Sequence, residues 1–144
     1  MKIFCTNRVK KDIEKLEKKP SYSNLRSLLF NYMSKKKTTQ DWMEGTRIFL
    51  GNPNFICVKK RLGGSGGYRM YHLITINEDE VTIAALYPKT GSKGGSDLTD
   101  DGKTSCIGEA LDQISEKNRW EIVLDTNPDS LSFKLEEKVK VNQI

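Results

Sequence analysis

A chain of 144 residues, with 24 Lys and Arg against 19 Asp and Glu, carries a formal net charge of +5. That is one domain's length, enough to bury a core without staples, with a charge that favours a polyanionic partner. Three widely spaced cysteines (Cys5, Cys57, Cys106) and one histidine, His72, argue against a disulfide framework and leave no metal cluster. No apolar stretch approaches the ~20 residues of a membrane span, and the opening MKIFCTNRVKK lacks a signal-peptide core, so the chain reads as soluble and cytoplasmic, with no membrane partner.

Ile3–Phe4 opens with a short extended segment. Thr6 or Asn7 caps a helix on which Val9, Ile13 and Leu16 recur at helical spacing. Pro20 ends it. Ser21 caps a second helix with Tyr22, Leu25, Leu28, Leu29, Tyr32 and Met33 on one stripe, and the pair reads as a helical hairpin. The run Lys35–Lys36–Lys37 reads as a solvated helix end that complements the dipole. Residues 38–54 are irregular, with a short strand at Arg47–Leu50. The period then changes to two: strands at Phe55–Leu62, Tyr68–Ile76 and Val81–Tyr87, with short turns between, make an antiparallel meander the economical topology. Gly63–Gly67 is the first turn; no Lys–Ser/Thr pair opens a helix after it, so it is no nucleotide phosphate loop. A basic glycine-rich loop over Pro88–Asp97 follows, then a helix capped by Thr99 with Asp100 and Asp101 in its first turn. Trp120–Leu124 and Leu131–Val141 alternate around Asn127–Pro128–Asp129, as a terminal hairpin or a loosely ordered tail.

Strand alternation places Lys59 and Arg61 on one face and Lys60 on the other, with Ile56, Val58 and Leu62. On the next strand Arg69, Tyr71 and Leu73 lie together, opposite Met70, His72 and Ile74. If the helices cover the Val58/Met70/Ile74 side, then Lys59, Arg61, Arg69 and Tyr71 converge on an open face, within reach of Tyr87 and Lys89. Cations on adjacent strands repel unless an anion sits among them. Phosphodiester cleavage develops negative charge that fixed Arg and Lys side chains stabilise. A lysine crowded by cations gives up its proton more readily and can act as a base. RNA supplies its own nucleophile, the 2′-hydroxyl, so neither metal nor cofactor is required. Aromatic neighbours can stack on bases. The same cations also serve simply to solubilise a strand face. His72 falls on the packed face, and Trp42 and Trp120 read as packing residues.

Val58-Lys59-Lys60-Arg61-Leu62 followed by Gly-Gly-Ser-Gly-Gly-Tyr68-Arg69-Met70-Tyr71 resembles the KxR…GGYR strand pair of RelE/HigB-type toxins. Ala85-Leu86-Tyr87-Pro88-Lys89, a basic loop and then Asp97-Leu98-Thr99 resemble the YxK…LT segment that follows it. The resemblance covers about residues 55–115, and residues 118–144 form an extension beyond it. It implies a single toxin domain of the RelE/ParE superfamily: an α+β fold with an N-terminal helical hairpin packed on an antiparallel sheet and a further helix after the third strand. It implies an endoribonuclease that cleaves mRNA on the ribosome and is held inactive by a cognate antitoxin. The ParE branch, which inhibits DNA gyrase, and an inactive binding module are the alternatives. Carried over by position, Lys59, Arg61, Arg69 and Lys89 are the catalytic candidates. Lys59 is base or phosphate ligand, the two arginines clamp the phosphate, and Lys89 holds the leaving side or a neighbouring phosphate. Lys60, Tyr71, Tyr87 and Lys93 are the further RNA-binding candidates. Two positions depart from the pattern. Thr90 follows Lys89 where ribosome-dependent members often carry Arg, and residues 100–116 contain neither Tyr nor His, which leaves the general acid unassigned.

Overall fold

The computed structural model describes residues 1–64, 67–89, 98–126 and 129–137. Strand β1 (Lys2–Cys5) leads into α1 (Asn7–Glu17), which Thr6 caps by accepting the Val9 N–H at 3.2 Å. Val9, Ile13 and Leu16 are its buried stripe, as their spacing dictates. Pro20 opens a single 3₁₀ turn, Pro20–Tyr22, so α2 (Leu25–Ser34) starts four residues after Ser21 and Ser21 does not cap it. After the short edge strand β2 (Thr46–Ile48) come β3 (Phe55–Leu62), β4 (Tyr68–Thr75) and β5 (Glu80–Pro88). The helix α3 (Asp100–Glu116) has Thr99 as its cap, accepting from Gly102 N–H at 3.0 Å, and the hairpin β6 (Trp120–Thr126) and β7 (Asp129–Leu135) closes the fold.

The protein is α+β, with three α-helices and one seven-stranded sheet among the described residues, ordered β2-β3-β4-β5-β1-β6-β7. The meander β3-β4-β5 is antiparallel as expected. The sheet as a whole is not. β1 lies parallel to β5, with Ile3 beside Val81 and Cys5 beside Ile83, so the sheet is mixed and the antiparallel expectation is corrected. Four residues at the chain's start carry no local mark of a partner some eighty positions away.

The helices meet more of the sheet than the three-strand meander alone. Arg26 on α2 holds Glu17 in a two-pronged ion pair at 2.7 and 2.9 Å and donates to Leu131 O on β7. Leu28, on the same helix, packs against Gly63 in the β3–β4 turn. One helix thus touches strands near opposite ends of the sheet order, which requires the sheet to curl around it. The core on this side joins α1 and α2 to Val58, Met70 and Ile74. On the other side α3 presses Cys106, Ile107 and Ala110 onto Cys57, Leu73, Ala84 and Ala85. A bulge in the β4–β5 pairing skips Ala84, so two small residues lie side by side under α3. All three cysteines are free and buried, and burial pushes the Cys5 and Cys57 thiols up to about 12.

The last hairpin is anchored by a buried cation. Arg119 is fully buried, with Nε and Nη2 on the two Glu136 oxygens at 2.8 and 2.7 Å and Nη1 3.0 Å from Glu80 and 2.7 Å from Thr82 Oγ1. Its guanidinium lies 3.8 Å above the Phe4 ring.

Candidate functional site

The site is built by the register of three strands. Arg61 on β3 stands directly across from Arg69 on β4, which stands across from Tyr87 on β5. One step inward, Lys59 faces Tyr71, which faces Ala85. Directly opposed residues share a face, with their Cβ atoms about 4.5–5.5 Å apart. The Lys89 N–H donates to Gly67 O at 2.9 Å, which carries the β4–β5 pairing beyond Pro88 and puts Lys89 two residues past Tyr87 at the same end of the sheet. Gly67 is required there, because a Cβ would fall 1.8 Å from Leu62 O. Lys59, Arg61 and Arg69 are therefore gathered with Tyr87 on one face, and Lys89 continues the row at its end.

That face is not open along its length. α3 covers its apolar half, and the cations occupy the uncovered end. Tyr71, expected on an open face, is 1% exposed, and its ring stacks on Tyr87 with centroids 6.5 Å apart and planes at 21°. The correction has a plain cause: Tyr71, Leu73 and Ala85 make that stretch apolar enough to recruit α3. Tyr71 supports Tyr87 from beneath, and Tyr87 is the half-buried member of the pair. Lys60 points to the opposite side and pairs with Glu44 at 2.8 Å. Lys93 lies outside the described residues.

Arg61 is exposed and Arg69 half-buried. Among the described residues neither Arg61 nor Lys89 makes an ion pair. Arg61 directly opposes Arg69 across the ladder, which concentrates positive charge at this end of the face. Both groups are planar forks suited to two phosphate oxygens at once. Among the described residues no group of three or more His, Cys, Asp and Glu side chains is placed to hold a metal.

His72 stands apart from this cluster. Its Nε2 donates to Trp42 O at 2.7 Å, its ring meets the Trp42 ring edge-on at 5.2 Å, and burial holds its pKa down at about 4. It is neutral at pH 7 and on the far face, so its role is packing, as the sequence suggested. The unfolded chain takes up a proton near pH 6.5 and the folded chain only near 4. Stability should therefore fall as pH drops from about 6.5 towards 4, by about 3 kcal/mol at most. Urea unfolding of the wild type and of His72→Gln across pH 4–8 checks this; the variant's curve should lack that component of the slope.

The end of α2 lies next to Arg61 and brings together two residues that the sequence placed apart, Tyr32 on the apolar stripe and Lys36 in the solvated lysine run. Tyr32 on α2 and Lys36 just past its end are four residues apart, and Lys36 lies 4.7 Å over the Tyr32 ring. The i,i+4 spacing of Tyr32 from the lysine run was the available signal.

No family model, no curated protein and no solved structure matches the chain.

Proposed function

We propose that the protein is an RNA-cleaving toxin of the RelE/HigB kind, acting on mRNA at the ribosome and restrained by a cognate antitoxin, with the RelE/ParE-like arrangement as its fold. The observation that carries this reading is the opposition of Arg61 and Arg69 across adjacent strands, with Tyr87 and Lys89 completing the row. In this reading the two guanidinium groups clamp the scissile phosphate and stabilise its transition-state charge. Lys59, one step inward on the same face, serves either as the base that takes the ribose 2′-hydroxyl proton or as a further phosphate ligand, solvent then taking the proton. The 2′-oxygen attacks phosphorus, the 5′-oxygen leaves and takes a proton from solvent, and the products are a 2′,3′-cyclic phosphate and a 5′-hydroxyl. Lys89 holds a neighbouring phosphate and Tyr87 stacks on a base.

The antitoxin supplies an acidic or amphipathic segment that covers Arg61 and Arg69 or displaces α3. Co-purification with the product of the neighbouring gene should give a complex stable at micromolar concentration. A gyrase-inhibiting toxin of the ParE sort needs no converging cations. Incubation with ribosomes and mRNA, run beside a gyrase supercoiling assay, separates the two: cut message with normal supercoiling supports the ribonuclease, and intact message with blocked supercoiling refutes it. A binding module without catalysis is the second reading. It is favoured by a helix α3 that carries neither Tyr nor His and by His72 being locked on the other face.

A further inference from the structure

The edge of β3 changes character part-way along. β2 pairs with it only as far as Thr46 opposite Lys59, so Lys60, Arg61 and Leu62 have no strand on their outer side among the described residues. A depression of about 370 Å³ lies there, between this edge and the end of α2. That is at the lower end of ligand-pocket sizes, about 300–1,000 Å³.

Its charge is one-sided. Lys35, Lys36, Lys60 and Arg61 line it, against the single carboxylate of Glu44, so four cations less one anion leave +3. Glu44 already spans two of them, at 2.8 Å from Lys60 and 3.5 Å from Lys36. Lys35 and Arg61 have no such partner among the described residues. Asn31 adds an amide to the wall, and the buried Tyr32 hydroxyl beside it makes no hydrogen bond among the described residues. Burial pushes that hydroxyl up to about 12, so it remains a donor. The lysine run at the end of α2 is therefore not only a solvated helix end: Lys36 is turned inward over Tyr32 while Lys35 stands at the rim.

Arg61 belongs to both places. It faces Arg69 on the cationic face and lines this depression at the unpaired edge. We propose that the depression is a second phosphodiester subsite for single-stranded RNA, with the strand passing around the free edge of β3 at Arg61 and its neighbouring phosphate held by Lys35, Lys60 and Asn31. The inference rests on the ribonuclease reading, since it takes the scissile phosphate to lie at Arg61 and Arg69. It assigns the strand's direction of exit and a substrate longer than the reacting dinucleotide.

The test uses an eight-nucleotide, fully 2′-O-methylated RNA, which cannot be cut, labelled for fluorescence anisotropy with the full-length protein. Lys35→Ala/Lys60→Ala should weaken binding about tenfold and flatten the dependence of log K on log salt by about 0.7 for each phosphate that is no longer neutralised. Lys35→Ala alone, at an exposed helix end where folding is not at risk, should weaken it about threefold. Lys37→Ala removes an equal charge two residues away and should change binding less than twofold. If the Lys35 and Lys60 variants bind no worse than Lys37→Ala while Arg69→Ala binds poorly, the subsite is wrong and the ribonuclease site stands. If the wild type binds no RNA at all, the subsite falls together with the site it extends. Loss of binding to an acidic antitoxin peptide in these variants, with RNA binding unchanged, would assign the depression to protein and overturn the proposal.

Discussion

Arg69→Ala should lower the single-turnover rate of mRNA cleavage by about 100-fold or more, the scale of removing one fixed donor from a developing anion. The size follows from where Arg69 sits. It is the middle member of the row Arg61–Arg69–Tyr87 and the second residue of β4, held by ladder bonds on both sides. Half-buried, it works in a less aqueous setting than Arg61, where each charge interaction counts for more. Arg69→Lys should rescue little, because an ammonium cannot hold two phosphate oxygens in a plane. Gly67→Ala should produce a similar loss without touching any cation, since its Cβ would collide with Leu62 O and spread the β3–β4 turn. Near-normal cleavage by a folded Arg69→Ala protein would remove the clamp role.

The largest effect on stability is expected at Arg119. Replacing it with Met should destabilise the fold by about 3–5 kcal/mol, because Glu80 and Glu136 then remain near a buried site without their cation. Arg119→Met/Glu136→Gln should recover part of that loss. The same change should loosen the β6–β7 hairpin, as the Arg119 side chain reaches across from the hairpin to Thr82 on β5 and to the Phe4 ring on β1. Urea unfolding and limited proteolysis after residue 117 read the two effects. A loss below about 1 kcal/mol would mean that the network is replaceable by packing alone.

Much of this architecture was legible because its signals are local. The period-two alternation of Phe55–Leu62 marked β3 to the residue, and Thr99 with Asp100 and Asp101 marked the start of α3. Strand alternation also sorted Lys59 and Arg61 from Lys60 correctly. What escaped was long-range. Nothing near Lys2–Cys5 says that it pairs parallel to β5. An arginine at 119 reads as surface, and its partners at 80, 82 and 136 come together only in the fold. The covered Tyr71 was the instructive error. The cations on either side of it suggested an open face, whereas Leu73 two residues on and Ala85 across the ladder already described a face that needed a helix. Hydrophobic area, at roughly 25 cal/mol per Å² buried, settles that stretch, and charge governs only its end.

The most direct measurement compares two synthetic messages bound to ribosomes, identical except that one carries 2′-deoxyribose throughout the codon in the decoding site. Each is mixed with excess wild-type protein and the products are resolved by length and end chemistry. The account predicts that the all-ribose message is cut within the codon to a 2′,3′-cyclic phosphate and a 5′-hydroxyl, while the deoxy-substituted message survives. Cutting of both messages alike would contradict attack by the 2′-hydroxyl, and survival of both would contradict the ribonuclease itself.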